Sequence, residues 1–234
     1  MATIKQLVGI TAQYNEIFKR VGNGSLDPDA VKRAFQRIIE GTLPFMINPP
    51  AWWRSPEQQL EKACQLWPNI TPPSPPANFI PRTNTEVLLL HVPRSFDELW
   101  DAIVAPDGYT VWRWDDSMKD GNHLQLAPNV PNRTEPVWLA FDPEHGRGGR
   151  PESFWGQSNL AASEVLSAII QFPNWSLSWF NGASAPVLGG YQFRDSRWSV
   201  PFICRWDETR QLRLYDYCAA NADDDLALPA VREC

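Results

Sequence analysis

The chain has 234 residues, 43% hydrophobic and 21% charged, which excludes disorder throughout and leaves room for one large core or two smaller ones. Its 22 prolines against 13 glycines fix φ at many positions and interrupt regular elements, which excludes a helical bundle as the whole fold. The net charge of −6 is unevenly spread: residues 1 to 67 hold eight basic and six acidic side chains and the remainder 13 and 21, so an acidic body repels phosphate backbones and nucleic-acid binding stays open only for the N-terminal segment.

The opening Met-Ala-Thr-Ile-Lys-Gln lacks the pattern of a secretory leader, and no apolar run approaches the roughly 18 residues that cross a bilayer. A soluble, cytoplasmic protein is expected. Cys64, Cys204, Cys218 and Cys234 are widely spaced with no C-x-x-C pair, which fits reduced thiols rather than a disulfide framework or a zinc site. No cofactor motif accompanies them.

From the N-terminus, Thr3 and Gln6 stand as a capping box, and Ile4, Leu7, Tyr14, Phe18 and Val21 make a narrow apolar stripe on a first helix. Gly22 and Gly24 stop it, Asp27-Pro28 starts a second helix with Val31, Ala34, Phe35, Ile38 and Ile39 on one face, and Gly41 ends that. Residues 3–40 thus read as a helical hairpin, and its stripe offers a surface for homo-oligomer formation. Lys32, Arg33 and Arg37 lie opposite the apolar face of the second helix, either as a solvated outer face or as a contact for a phosphate backbone.

A third helix is predicted from Ser55-Pro56 to about Leu66, with Leu60, Ala63, Cys64 and Trp67 inward. Residues 68–81 hold six prolines and favour polyproline II, a semi-rigid linker or strap. Three regions follow: a helical part over 1–67, the strap at 68–81, and an α+β domain over 82–234. Twelve tryptophans, none before Trp52 or after Trp206, mark the bulky core.

In the third region, Glu86 to Val92 reads as a strand buried on both faces, and Ser95 with Glu98 as a capping box opening a helix through Phe96, Leu99, Trp100 and Ile103. Strands are expected at Tyr109–Trp114, His123–Leu126 and Pro136–Asp142, and a helix at Leu160–Phe172. Four more strands are read at Pro186–Phe193, Ser199–Trp206, Gln211–Cys218 and Leu226–Val231, with Asp207-Glu-Thr as a hairpin turn. Such a mixture predicts an α+β fold with a mostly antiparallel sheet packed with two helices, after the N-terminal helical region.

Chemistry is best served by Asp142-Pro-Glu-His-Gly-Arg-Gly-Gly-Arg150. A strand delivers Asp142, Glu144 and His145, the usual acid and base types, and a glycine-rich turn presents Arg147 and Arg150, which suit an anion. Ordinary loop bonding explains the same residues. His91 is expected in the core and His123 in a turn, with Cys204 and Cys218 as buried thiols. Trp112 and Trp114 share one strand face with Asp115 and Asp116 beyond, a stacking platform for a sugar, a base or a cationic side chain; Trp175 and Trp179 make a similar pair if helical. No metal site is expected, because Asp-x-Glu-His and Asp223 to Asp225 match no ligand spacing.

These residues point to a soluble intracellular binding or interaction protein that takes a partner protein or small polar ligand through loops of the α+β domain, with Trp112, Trp114, Arg147 and Arg150 as binding residues. A hydrolase acting on a phosphorylated or glycosidic substrate through Asp142, Glu144 and His145 is the alternative. A nucleic-acid-associated protein using Lys32, Arg33 and Arg37 is the second.

Overall fold

Strand β1 (Val87–His91) is Val-Leu-Leu-Leu-His and is buried along its whole length. The computed structural model describes residues 15–25, 27–29, 31–32, 49–106, 108–113, 123–179, 183–196 and 198–234. In it β1 pairs antiparallel with β4 (Val137–Asp142), which pairs antiparallel with β10 (Ala230–Glu233). The pleat sends Val87, Leu89, Leu139 and Phe141 into the larger core and Leu88, Leu90, Trp138 and Ala140 into a smaller one on the other face. Two covered faces explain why the strand carries no alternation of apolar and polar residues.

By its contacts the chain divides into residues 1–45 and 46–234. In the first unit residues 15–22 are helical, Arg20 and Glu16 pair one turn apart at 3.0 Å, and Gly24 takes φ +76° where the chain turns. Asp27 then accepts the amide of Asp29 through its carboxylate (3.1 Å) and that of Val31 through its carbonyl (3.1 Å), as a helix start requires. Lys32 is exposed. Most of the expected hairpin, including Arg33 and Arg37, lies outside the described residues.

The smaller core is roofed by helix α1 (Pro56–Leu66), opened by a reciprocal capping box in which the Ser55 hydroxyl accepts the Gln58 amide and the Gln58 side chain accepts the Ser55 amide. Residues 68–81 lie over the same face, where the Trp138 indole N–H donates to the carbonyl of Pro73 at 2.8 Å and Phe79 is buried. The larger core is filled by α3 (Ser163–Gln171), buried from Glu164 to Gln171, and by α2 (Phe96–Asp101), opened by the Ser95 and Glu98 box.

A second sheet runs β2 (Thr110–Arg113), β8 (Gln211–Cys218), β7 (Ser199–Trp206). Strands β7 and β8 form an antiparallel hairpin closed by Asp207 to Arg210, with Arg210 at φ +51°, and β2 lies parallel to β8 on its far side. Short pairs complete the unit: β3 (Leu124–Leu126) antiparallel to β6 (Tyr191–Phe193), and β5 (Ala185–Pro186) parallel to β9 (Leu226–Ala227). The fold is α+β with mostly antiparallel pairing.

Several expectations need correction. Cys64 is exposed and Gln59 is the residue buried on that helix beside Ala63. The helix predicted from Leu160 begins at Ser163, because Leu160 bridges to Ala230, the Ala161 amide donates to the Pro229 carbonyl, and the Ala162 amide is held by the Glu164 carboxylate (2.8 Å). The run Leu226–Val231 is two strands in different sheets, separated at Pro229, which has no N–H to continue a ladder. Pro186–Phe193 is likewise split at Gly189-Gly190, where a Cβ on Gly190 would sit 2.8 Å from Ala162 and 2.9 Å from the Ala161 backbone.

Candidate functional site: the outer face of the second sheet

The loop after β4 brings Asp142, Glu144, His145, Arg147 and Arg150 together, and most of their polar groups are engaged with the chain itself. Asp142 accepts from the Thr85 hydroxyl (2.6 Å), the Thr83 hydroxyl (3.1 Å) and the Glu144 amide (3.2 Å). Glu144 accepts from the amide and hydroxyl of Ser184, each at 2.9 Å, with Arg147 3.5 Å away. His145 packs its ring edgewise on Phe154 at 5.8 Å, and its Nε2 has no partner among the described residues.

The glycine-rich turn depends on Gly146 at φ +64° and Gly148 at φ +71°, a region that side chains rarely adopt. Its amides point inward: Arg147 donates to the Glu144 carbonyl, Gly148 to that of Leu226 and Gly149 to that of Gly146. Arg147 Nε donates to the Asp224 carbonyl at 3.0 Å, and Arg150 is exposed ahead of a 3-10 turn at Pro151–Phe154. Neither of the two surface clefts described, one beside Trp67 and Arg94 and one along Gln58 and Lys62, is lined by Asp142, Glu144 or His145.

Trp112 belongs to a different assembly. The register sets Trp112 beside Arg213 and Arg213 beside Cys204, then Thr110, Gln211 and Trp206 in the next row, and Tyr215 with Phe202 on the other side. Partners in a row project from the same face, and the intervening residues Leu212, Leu214 and Ile203 are buried in the larger core. The aromatic row therefore forms an outer face around Trp112, Arg213 and Trp206, while toward Val200, Phe202 and Tyr217 the same side packs onto the core. The Arg213 guanidinium lies between two tryptophans, 4.8 Å from the Trp206 ring centre and 5.2 Å from that of Trp112, with Tyr215 at 5.9 Å. It donates to Gln211 Oε1 (2.8 Å), the Tyr215 hydroxyl (2.8 Å) and the Thr209 hydroxyl (2.9 Å).

Around this cation the rings are tilted, Trp112 at 50° and Trp206 at 44° to Tyr215, and Phe202 stacks on Tyr215 at 28°. Trp206 is 41% exposed and Trp112 half-buried. Beneath them Cys204 is buried, which pushes its thiol up to about 11, so it carries no thiolate at neutral pH. The hairpin turn is held by the Tyr109 hydroxyl donating to Asp207 at 2.6 Å, which lowers the Asp207 carboxyl and raises the Tyr109 phenol.

Trp114, Asp115 and Asp116 lie outside the described residues. Trp175 and Trp179 are fully buried, 5.3 Å apart in a T-shaped pair, so they form no platform, and their indole N–H groups find no acceptor among the described residues. Cys218, expected buried, is exposed. His123 stands in a turn 3.8 Å from Asp195, as expected. His91 is buried with Nδ1 2.9 Å from the Ser167 hydroxyl, and burial depresses it to about 4, so the imidazole is neutral at pH 7. Near it the buried Glu164 is paired with Arg133.

Arg213, Trp206 and Tyr215 were absent from the sequence-based site. A signal for them existed: in Gln211-Leu-Arg-Leu-Tyr215 the leucines claim the core face, which turns Arg213 and Tyr215 to the other side. No described helix is long and apolar enough to cross a membrane, and among the described residues no group of three or more His, Cys, Asp or Glu is arranged to hold a metal. Comparison with protein-family models, curated proteins and solved structures gives no match.

Proposed function

We propose that the chain is a binding protein whose receptor surface is the outer face of β2, β8 and β7. The observation that carries this reading is the placement of Arg213 between Trp112 and the exposed Trp206 at the turn end of the hairpin. The Trp206 indole has 41% of its surface in water and lies against the Arg213 guanidinium, which Gln211 and Thr209 hold in place. Tryptophan, tyrosine and arginine gathered at one spot are the residue types that dominate binding energetics.

Less supports the hydrolase. Asp142 and Glu144 accept hydrogen bonds that fasten the 83–85 turn and Ser184, a use that explains both carboxylates without a substrate. Binding through Arg147 and Arg150 has the exposed Arg150 in its favour but a turn whose amides face inward.

The test is a probe panel: a soluble neutral polysaccharide, single-stranded DNA, a trimethyl-lysine peptide and a proline-rich peptide, titrated against the wild type and the Trp112→Ala/Trp206→Ala double variant. The proposal expects one probe to bind and the double variant to lose it by tenfold or more, the mark of a hot spot. Binding equally strong in the double variant, or no binding of any probe at millimolar concentration, overturns it.

A further inference from the structure

Resting on that reading of the face, we infer that its ligand is a glycan, held by stacking of sugar rings on Trp206 and Trp112. A pyranose presents apolar C–H faces and a rim of hydroxyls, and it needs an aromatic wall beside groups that both donate and accept hydrogen bonds. The face supplies both. Trp206 and Trp112 flank the guanidinium and are each tilted to Tyr215, by 44° and 50°, so the aromatic surface is stepped rather than one flat plane. Between them Arg213 has donors remaining after its three bonds, and Thr209 and Gln211 combine hydroxyl and amide chemistry at the turn end of the hairpin.

Charge separates a glycan from a nucleic acid, the other ligand that stacks on tryptophan. Single-stranded nucleic acid needs a basic groove that follows its backbone as well as rings for its bases. The outward positions of these strands offer one guanidinium, Arg213, whose charge is directed onto three rings, and no lysine. The chain as a whole carries −6, so a polyanion approaches against the field while an uncharged glycan does not. Those strand positions hold no carboxylate either, and in the adjoining turn Asp207 is already engaged by Tyr109 and Arg205.

The experiment is affinity electrophoresis of the full chain in gels cast with soluble glucan, mannan or xylan, followed by calorimetric titration with the retained polymer at low and high salt, and a parallel titration with oligo(dT). Retention by at least one neutral glycan is expected, weakened tenfold or more by Trp206→Ala, largely preserved by Trp206→Phe, unchanged by Trp198→Ala at the other end of β7 and insensitive to salt. Trp206 is a surface residue, so thermal melts of the variants should match the wild type. Binding of oligo(dT) with a steep salt dependence, lost in Trp206→Ala, overturns the glycan while leaving the face as the receptor. Glycan retention unchanged in both Trp206→Ala and Trp112→Ala overturns both, and retention by no glycan overturns the glycan.

Discussion

Gln59 of α1 stands in for a missing strand beside Leu90 of β1. Its side-chain oxygen accepts the Leu90 amide at 2.8 Å, and its side-chain nitrogen donates to the carbonyls of Leu88 (3.0 Å) and Arg54 (2.9 Å). Trp53 adds a second donor to the Leu88 carbonyl at 3.2 Å, and Gln171 of α3 donates to the Gln59 backbone carbonyl at 3.3 Å. An edge strand buried without such partners would leave its amide unsatisfied. One glutamine therefore ties the roof helix, the edge of the first sheet and the central helix together.

Gln59→Ala should cost about 2 to 3 kcal/mol, because the Leu90 amide loses its acceptor in a dry site and a cavity is left. Urea unfolding monitored by tryptophan fluorescence measures it; a change within 0.5 kcal/mol, the size typical of surface substitutions, would remove Gln59 from this role.

A buried ion pair supports the far end of the same sheet. Arg232 of β10 binds Glu86 through two contacts of 2.8 Å and reaches the Ile80 carbonyl at 2.7 Å, while Glu86 also accepts the Arg82 amide. Arg232→Ala should destabilise by about 3 kcal/mol, since it leaves a carboxylate that is almost fully buried without its cation. Glu86→Gln in the same background should recover part of that loss; a strictly additive double-mutant cycle would show the two side chains uncoupled.

Stability should fall on mild acidification because of His91. Its folded value lies near 4 against an ordinary 6.5, lowered by burial first and by the Arg133 charge, with Glu164 opposing. The unfolded chain therefore takes up this proton and the native chain does not, so the contribution is complete above about 6.5 and is lost as pH falls toward 4. The loss is on the order of 3 kcal/mol at most. Unfolding curves from pH 7.5 to 4.5 should show a shallower decline for His91→Gln than for the wild type; parallel curves would exclude His91 as the source.

The thiols should separate by environment. Cys64 and Cys218 are exposed and should react with iodoacetamide at pH 8 in the native protein. Cys234 is exposed too but should lag, since desolvation of its thiol raises it to about 11, and Cys204 should react only after unfolding. Peptide mass spectrometry of a labelling time course reads all four, and early modification of Cys204 would contradict the closed aromatic face above it.

Local chemistry was legible where a local rule decides the outcome. The Ser95 and Glu98 box, the doubly buried β1 and the β7 to β8 hairpin follow from spacing and alternation within a few residues. Gln59 was not legible, because an amphipathic reading assigns buried positions to apolar residues and its burial depends on a strand some thirty residues later. The site shows the same divide. Trp112 could be placed on a strand face, but its neighbours are set by the parallel pairing of β2 with β8, a register between segments about a hundred residues apart that neither segment encodes alone.

The most direct measurement of the receptor face is oxidative footprinting of tryptophan, with and without the polymer retained in electrophoresis. Trp206 and Trp198 are both exposed, at 41% and 74%, at opposite ends of β7. Eight residues of strand separate them by about 26 Å, so the second serves as an internal reference. Bound polymer should slow oxidation of Trp206 severalfold while Trp198 is oxidised at its original rate. Trp206 oxidised equally fast in the presence and absence of bound polymer would contradict it.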